Sequence, residues 1–394
     1  MYKAAITGTG VFTPSEIITN AELVAAFNAY ADLFNARHAD EIAAGTTEAK
    51  EHSSEEFIVK ASGINQRYVI DKSGVLDPEI MHPLLRQRSD EEPSLMAEMG
   101  VDAAQKALAQ AGRSASEVDL VICAASNMER AYPAIAVEIQ NLLGCAGFAF
   151  DMNVACSSAT FGIQAAADMI KSGSIRSALV INPEICSAHL EWRDRDCHFI
   201  FGDVATATLI ERADLAGGPC FEIISTRCAT EFSNNIRNNN GFLRRSRPDG
   251  TKDRRDMQFM QNGRKVFKEV LPMVSAHIAA HMDAENIKAS DLKRLWLHQA
   301  NKTMNDFIGK KVLGRAPEPG LHVHELALGA RLVAAAGDGD VALARIAGHG
   351  RLVDVHAQAR RRRHQQRAAI EHRRRRDHLV AAGPVVLDAL QHQR

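Results

Sequence analysis

The sequence lacks the features that mark membrane, secreted and metal-binding proteins. It has no apolar run of about 18 residues, the length that a membrane-spanning helix requires, and no signal-peptide core at its N-terminus. The seven cysteines follow no Cys-x-x-Cys spacing, so neither a disulfide framework nor a cysteine zinc site is indicated. The Gly8-Thr9-Gly10 segment lacks the third glycine of a dinucleotide fingerprint. We therefore expect a cytoplasmic protein with reduced thiols, no metal and no bound cofactor.

The C-terminal part of the chain lacks most residue types. Residues 316–394 contain no Ser, Thr, Asn, Lys, Met, Cys or aromatic residue, yet they hold 13 arginines and half of the 16 histidines. With 8 acidic residues this tail carries a formal charge of +5, which leaves −6 on residues 1–315 and a total of −1. Burial does not explain this composition, so we hypothesise an out-of-frame translation of a GC-rich gene. Resequencing across codon 315 tests that hypothesis.

The rest of the sequence alternates short apolar runs with stretches of helical periodicity. With 46% hydrophobic residues, a chain of this length can bury one large core or two fused ones. This alternation of predicted strands and helices indicates an α/β protein. We place one half at 1–215, a second half at 216–315, and a disordered or frameshifted tail at 316–394. The principal predicted helices are 21–28, 95–111, 134–143, 159–171 and 263–282, and the principal strands are 118–125, 148–154, 177–182, 221–227 and 292–297.

One cysteine stands at a sharp turn between a predicted strand and a predicted helix. Residues 151–162 place Cys156 in the first helical turn, where unpaired N–H groups and the helix dipole favour a thiolate. Its small neighbours leave space for a substrate carbonyl, and its own N–H could help to hold an oxyanion. The local pattern leaves two interpretations open, a nucleophile and a buried structural thiol. The other six cysteines are interpreted as buried thiols.

One histidine ends the predicted strand 292–297. His298 is followed by Gln299-Ala300-Asn301, which places its ring at the carboxyl end of a strand, where open α/β sheets position their chemistry. A lone histidine at a strand end is more often structural, so the residue alone does not establish a catalytic role.

Taken together, the two stretches resemble the motifs of a known family. Asn153-Val-Ala-Cys156-Ser-Ser-Ala-Thr-Phe-Gly162 and Leu297-His298-Gln-Ala-Asn301 are similar to the nucleophile and histidine motifs of β-ketoacyl-acyl-carrier-protein synthase III. The resemblance covers residues 1 to about 315 and implies a thiolase-like fold. In that fold two similar halves form αβαβα layers, usually within a homodimer, and the second half is incomplete in this chain. Lesser matches follow in the family's order at Gly8 to Gly10, Thr19-Asn20, Gly63-Ile64, Pro133 to Ala136, Phe201 to Asp203, and Asn262-Gly263.

The resemblance also implies a reaction, the decarboxylative Claisen condensation of fatty acid biosynthesis. Cys156 would take an acyl group from an acyl-CoA or acyl-carrier-protein thioester. A malonyl group on acyl carrier protein would then lose CO2 and attack the acyl-cysteine. His298 and an asparagine further along would stabilise the enolate, which needs two hydrogen-bond donors in a dry pocket.

Four further residues fall at substrate-binding positions of the family. Phe57 stands where relatives stack a tryptophan on the adenine of coenzyme A, and Ala61 stands where they carry an arginine. Tyr132 corresponds to an aromatic residue that reaches the partner's acyl pocket. Phe267 and Asn301 complete the expected substrate-binding set. The replacements at Phe57 and Ala61 put binding of coenzyme A in question.

Other departures concern whole segments. The stretches 29–56 and 73–93 look like additions, and the basic segment 244–255 is interpreted either as a carrier-protein contact or as a solvated loop. The family's catalytic asparagine and its glycine-rich closing loop have no counterpart, because the last asparagine of the chain is Asn305. If the tail is genuine, we expect little condensation and only acyl transfer to Cys156.

Two alternatives remain open. One is a thiolase-fold acyltransferase that uses Cys156 and His298 without decarboxylation. The other is a nucleic-acid-binding tail formed by Arg360 to Arg363 and Arg373 to Arg376, although it has no aromatic residue to stack on bases. The pair His322 and His324 lacks the partners of a designed metal site.

Overall fold

The structure, a computed structural model, describes residues 1–238, 254–292 and 295–316. The basic residues 244–253 and almost all of the predicted tail lie outside these ranges. The helices are α1 (Asn20–Arg37), α2 (Ala39–Ala43), α3 (Glu55–Ser62), α4 (Ser73–Leu76), α5 (Leu95–Ala111), α6 (Ile135–Leu143), α7 (Ser158–Ser172), α8 (Gly263–Ala284) and α9 (Lys302–Leu313). The strands are β1 (Ala4–Phe12), β2 (Glu16–Thr19), β3 (Gln66–Val69), β4 (Leu120–Ala124), β5 (Phe148–Met152), β6 (Ser177–Ile185), β7 (Asp203–Arg212), β8 (Phe221–Glu222), β9 (Ile236–Arg237) and β10 (Met260–Gln261).

A mixed six-stranded sheet occupies the first part of the chain, in the order β5-β4-β6-β7-β1-β8. Strand β4 is parallel to both β5 and β6, whereas β7 runs antiparallel to β6 and β1. Parallel strands end at the same edge of a sheet. The residues that follow β4, β5 and β6 are therefore brought together at one edge.

Helices cover both faces of this sheet. Leu120, Ile122 and Ala124 of β4 pack with α7 on one face, whereas Val121 and Cys123 pack with α5 and α6 on the other. All five side chains are buried, which explains why β4 reads as a continuous apolar run rather than an alternating one. The sequence predictions for α5, α6, α7, β4, β5 and β6 are confirmed to within a few residues.

Strand β1 lies unusually close to α5. A Cβ atom at Gly8 would overlap the carbonyl oxygen of Ala107, and one at Gly10 would overlap that of Ala103. These two glycines therefore serve the close packing of a strand on a helix.

The second part of the chain forms less sheet than the sequence predicts. Among the described residues, the predicted strand 221–227 is reduced to β8, which pairs with β1 of the first sheet. In the predicted strand 292–297 the described residues contain only a bridge at Leu295. Helices α8 and α9 pack around Leu271, Leu297 and Ile308. A β-strand needs a neighbour for its main-chain hydrogen bonds, and the described part of this half supplies none beyond the short β9-β10 pair. The division at residue 215 stays a prediction.

None of the described helices is long and apolar enough to cross a membrane.

Candidate active site

The nucleophile turn, residues Ala155 to Ser157, lies between β5 and α7. Ala155 has a φ of 48°, a left-handed conformation that is uncommon for a residue with a side chain. The hydroxyl of Ser158 accepts from the N–H of Val154 at 2.8 Å and donates to the carbonyl of Ala155 at 2.7 Å. These bonds close the chain into a tight turn, and Cys156 at its apex is exposed. The predicted strand-turn-helix arrangement is thus present.

Asn153 ties this turn to the end of the neighbouring strand. Its Nδ2 donates to the carbonyl of Ser126 at 2.9 Å, and its Oδ1 accepts from the N–H of Ala155 at 3.0 Å. Ser126 follows β4 and Asn153 follows β5, two parallel strands that end at the same edge. The sheet therefore fixes the position of the turn.

A carboxylate from β6 completes the cluster. Glu184 accepts from the N–H of Ser126 at 2.6 Å and from its hydroxyl at 2.5 Å, and Cys186 Sγ lies 3.7 Å from the same carboxylate. Burial raises the pKa of Glu184, while the two bonds from Ser126 oppose that rise. Neither Glu184 nor Ser126 was indicated by the sequence analysis, because residues 58 positions apart share no local pattern.

The electrostatic environment of Cys156 differs from the sequence prediction. Burial of the thiol among protein atoms raises the pKa of Cys156, the charge of Glu184 raises it further, and only the backbone N–H of Cys156 lowers it. These contributions to the pKa of Cys156 oppose the preference for thiolate that the sequence predicts.

The structure places His298 on the segment between Leu295 and α9. The residue is exposed at its surface, yet the protein around its ring lowers the pKa of His298. The imidazole is therefore neutral at pH 7 and can donate one N–H. Within the described ranges, no hydrogen bond joins His298 to Cys156. Their cooperation in one reaction stays a prediction.

Asn301, three residues further on, has a structural role. Its Oδ1 accepts from the N–H of Met304 at 3.0 Å and so caps α9, and its Nδ2 donates to the carbonyl of Ala61 at 2.5 Å. The segment that carries His298 is thereby attached to α3. Phe267 of α8 packs against the cluster that contains Leu297. Substrate contacts of Asn301 and Phe267 stay predictions.

Phe57 lies on α3 and has a charged neighbour that the sequence analysis missed. The guanidinium carbon of Arg195 stands 4.2 Å from the centroid of the Phe57 ring, and Phe199 meets that ring edge-on at 5.8 Å. The Nε of Arg195 donates to the carbonyl of His52 at 2.8 Å, within the segment 29–56 that looks like an addition. Phe57 and Arg195 thus form a cation–π pair.

Tyr132 is 85% exposed and precedes Pro133 through a cis peptide bond. The loop that carries it enters α6, whose first N–H groups, on Ile135 and Ala136, donate to Asp151 of β5 at 2.9 and 2.7 Å. A carboxylate at this point satisfies free helix donors. The side chain of Tyr132 is therefore exposed to solvent, on a loop that leads into a helix whose first turn is held by Asp151.

A groove with a volume of about 740 Å³ opens beside this loop. Residues of the segment 85–96 line the groove, together with Ile185 and His189. Asn127 Nδ2 lies 3.0 Å from His189 Nδ1, and burial lowers the pKa of His189 to about 4. The groove thus begins one residue beyond Ser126, which holds the nucleophile turn. Its lining combines apolar side chains with charged ones: the apolar set includes Leu85, Leu95, Met96, Met128, Tyr132 and Pro133, and the charged set is Arg86, Arg88, Asp90, Glu92, Glu129, Arg130 and Glu138.

In the part of the chain that the structure describes, no cluster of three or more His, Cys, Asp or Glu side chains could hold a metal ion.

Solved structures define the class of protein to which this fold belongs. The 3-oxoacyl-acyl-carrier-protein synthase III of Pseudomonas aeruginosa superposes with a TM-score of 0.59 at 22% identity, covering 79% of this chain and 80% of that one. The corresponding synthase of Aquifex aeolicus gives a TM-score of 0.58 at 21% identity, with 86% and 92% covered. At these identities the comparison establishes the fold alone, which is the thiolase-type fold of condensing enzymes.

Sequence comparison narrows the fold class to one protein family. Residues 150–231 match the profile of the 3-oxoacyl-[acyl-carrier-protein (ACP)] synthase III family. A β-ketodecanoyl-acyl-carrier-protein synthase of Pseudomonas aeruginosa is 55% identical over 293 residues, which is 74% of this chain and 83% of the relative. A β-ketoacyl-acyl-carrier-protein synthase III of Acidiphilium cryptum is 31% identical over 323 residues, with 81% and 83% covered. The chain belongs to the β-ketoacyl-acyl-carrier-protein synthase III family, whose members are acyl-transferring condensing enzymes.

Proposed function

We propose that this protein condenses an acyl-thioester primer with malonyl-acyl carrier protein to form a β-ketoacyl-acyl carrier protein. The observation that carries the proposal is the strained turn that presents Cys156 at the sheet edge, in a member of this family. The reaction belongs to fatty acid biosynthesis, and we place it in the cytoplasm. The protein needs no cofactor of its own for this chemistry, because both substrates arrive as activated thioesters.

The proposed reaction has two stages. In the first, Cys156 Sγ loses its proton and attacks the primer carbonyl, and the carrier thiol leaves with a proton. In the second, the malonyl group loses CO2, and the electron pair of the broken C–C bond forms an enolate. Neutral His298 donates an N–H to the enolate oxygen. The enolate carbon then attacks the acyl-cysteine carbonyl, and the Cys156 thiolate leaves and recovers a proton.

The primer that we propose has eight carbons. The Pseudomonas aeruginosa relative at 55% identity is named for a ten-carbon β-keto product, and condensation with malonate adds two carbons to the primer. A groove of about 740 Å³ is within the size range of ligand sites, and the apolar part of its mixed lining can contact an alkyl chain. We assign the alkyl chain to this groove because it adjoins Ser126.

We propose coenzyme A as the carrier of the primer. Phe57 with Arg195 supplies a ring and a guanidinium plane, two groups that stack on bases and bind phosphates. The Phe57–Arg195 pair takes over the stacking on adenine that relatives obtain from a tryptophan at the position of Phe57. Acyl carrier protein is the proposed partner that delivers the malonyl group.

We also propose a homodimer. Strand β5 is a sheet edge in the described residues, and unpaired edges tend to pair with another chain. Three apolar side chains beside this edge are exposed in the monomer: Val137 by 43%, Leu142 by 41% and Phe148 by 47%. With the outward-facing Tyr132 they form a surface suited to a second copy of the chain.

One assay with several arms tests the proposal. The purified chain is incubated with malonyl-acyl carrier protein and with octanoyl-CoA, acetyl-CoA or octanoyl-acyl carrier protein. Release of CO2 and the β-ketoacyl product are measured separately. We expect β-ketodecanoyl-acyl carrier protein, made fastest from octanoyl-CoA. His298→Ala should lower condensation by a factor on the order of 100 to 1,000 and leave acylation of Cys156 intact.

One observation favours a second function, acyl transfer without decarboxylation. No asparagine follows Asn305 in the sequence, and Asn305 itself is buried in α9. The enolate would then have His298 as its only assigned donor. Acylation of Cys156 together with no CO2 release from malonyl-acyl carrier protein would support this function and overturn the condensation.

A further inference from the structure

The segment 29–56, which looks like an addition, contains a stretch between α2 and α3 that side chains of α1 hold in place. Asn35 Nδ2 donates to the carbonyl of Lys50 at 2.9 Å, and Asn35 Oδ1 accepts from the N–H of Lys50 at 2.8 Å. Asn28 binds Ser53 in the same way, at 3.2 and 2.8 Å. Each side-chain amide thus satisfies both main-chain groups of one residue, as a neighbouring strand would.

Three polar side chains of α1 form a single row along this stretch. Asn28, Asp32 and Asn35 are spaced by four and three residues, so they lie on one face of the helix. Between the two amides, Asp32 Oδ1 lies 2.7 Å from His52 Nε2, at the surface, where such a contact contributes little. The main chain of residues 50–53 is therefore fixed along α1 chiefly by the two asparagines.

The fixed stretch presents one carbonyl group to Arg195. Arg195 Nε donates to the carbonyl of His52 at 2.8 Å, between the two residues that the asparagines hold. Glu51 Oε2 lies 3.8 Å from Nη1 of the same guanidinium. The guanidinium is planar, so a bond to its Nε restrains the orientation of that plane. The carbonyl of His52 therefore helps to set how Arg195 lies over the Phe57 ring, 4.2 Å away.

The main chain of Arg195 is supported from the same helix. His198 Nδ1 lies 2.9 Å from the carbonyl of Arg195, and because a carbonyl can only accept, this nitrogen carries the proton and donates. The ring of His198 is fully buried and stacks on Phe27 of α1, with the two centroids 4.6 Å apart. Phe27 and Asn28, adjacent residues of α1, thus support the main chain and the side chain of Arg195.

We propose that the stretch 50–53 positions the Arg195 guanidinium over Phe57 to receive the adenine of coenzyme A, and that Asn28 and Asn35 are positioning residues for this recognition. The proposal rests on the proposed function in taking coenzyme A as the carrier of the primer. An arginine side chain has many rotamers, and a ligand that must immobilise it binds more weakly. Because the protein already holds Arg195, coenzyme A meets a prepared site.

Binding and acylation are measured separately for the wild type, Asn28→Ala and Asn35→Ala. Isothermal titration calorimetry gives the dissociation constant of free coenzyme A, which requires no reaction. Mass spectrometry gives the rate of Cys156 acylation by octanoyl-CoA and by octanoyl-pantetheine, which lacks the nucleotide. We expect each substitution to weaken coenzyme A binding by about three- to tenfold. Acylation by subsaturating octanoyl-CoA should slow by the same factor, whereas the rate with octanoyl-pantetheine should not change.

Gln110→Ala is the matched control. Gln110 of α5 also holds a main chain, because its Oε1 accepts from the N–H of Thr9 at 2.6 Å and from the Thr9 hydroxyl at 3.1 Å. Its partner belongs to β1 rather than to the stretch 50–53, so we expect the wild-type dissociation constant. In an Arg195→Ala background, Asn28→Ala should weaken coenzyme A binding no further, because it acts through Arg195.

Several results would overturn the proposal. One is an unchanged dissociation constant in folded Asn28→Ala, or in Asn35→Ala if the first variant does not fold. Others are an equal loss of rate with octanoyl-pantetheine and a full further loss in the Arg195→Ala background. A wild-type protein that does not bind coenzyme A would overturn it without any variant. Failure of the proposed condensation gives a different result, in which coenzyme A binding weakens in the variants as expected but Cys156 is never acylated.

Discussion

Ala155 bears the backbone strain of the nucleophile turn. Its φ of 48° is accessible to glycine at little cost but is highly unfavourable for a β-branched residue. We predict that Ala155→Val lowers the free energy of unfolding by about 1–3 kcal/mol and slows acylation of Cys156, because the turn must open. Ala155→Gly is the control, and it should be at least as stable as the wild type in urea unfolding. Equal effects of the two substitutions would contradict the strain argument.

The residues that the sequence identifies are those within a contiguous motif. Cys156 and its turn were predicted because a buried strand, small residues and a helix follow one another directly. Arg195 was missed, since only the fold brings it to Phe57. Glu184 was missed for the same reason. Burial of the thiol, and after it the charge of Glu184, raises the pKa of Cys156 and so opposes the effect of the helix dipole, which local sequence alone cannot reveal.

At the scale of elements, the packing of β1 on α5 leaves no room for a side chain at Gly10. Gly10→Ala would place a methyl group on the carbonyl oxygen of Ala103, so strand and helix would have to separate. We predict a loss of about 3 kcal/mol or more in the free energy of unfolding. Gly217→Ala is the control, because a Cβ there meets nothing within 4 Å, and its effect should stay within about 0.5 kcal/mol. A tolerated Gly10→Ala would show that this packing is not tight in solution.

Helices and strands are predicted correctly from the sequence where capping residues and other local signals agree with the pattern of burial. Glycines with positive φ end α3 at Gly63 and α5 at Gly112, and Thr19 forms a capping box that starts α1. The strands predicted near 221 and 292 are apolar enough to pair, but periodicity does not reveal which partner a strand finds. Of the first, only Phe221–Glu222 pairs, on the edge of the N-terminal sheet. The sequence-based boundary at residue 215 takes no account of this pairing of β8 with β1, which joins residues far apart in the sequence.

At the scale of the whole molecule, the proposed dimer is open to direct measurement. Phe148→Glu would place a charge on the exposed edge strand β5, and burial of an unpaired charge at an interface is costly. We predict that light scattering shows a dimer for the wild type and a monomer for Phe148→Glu. Phe232→Glu is the control, because Phe232 is 84% exposed beside α8, and it should remain dimeric. A monomeric wild type at assay concentrations would refute the proposed interface.

The central claim is that Cys156 is the acyl-accepting nucleophile, and one measurement tests it most directly. The chain is incubated with octanoyl-CoA alone, digested, and every cysteine peptide is analysed by mass spectrometry. We predict one octanoyl group on the Cys156 peptide, none on the peptides of the other six cysteines, and no acylation of Cys156→Ala. An unmodified Cys156 peptide, or equal acylation of wild type and Cys156→Ala, would contradict the claim.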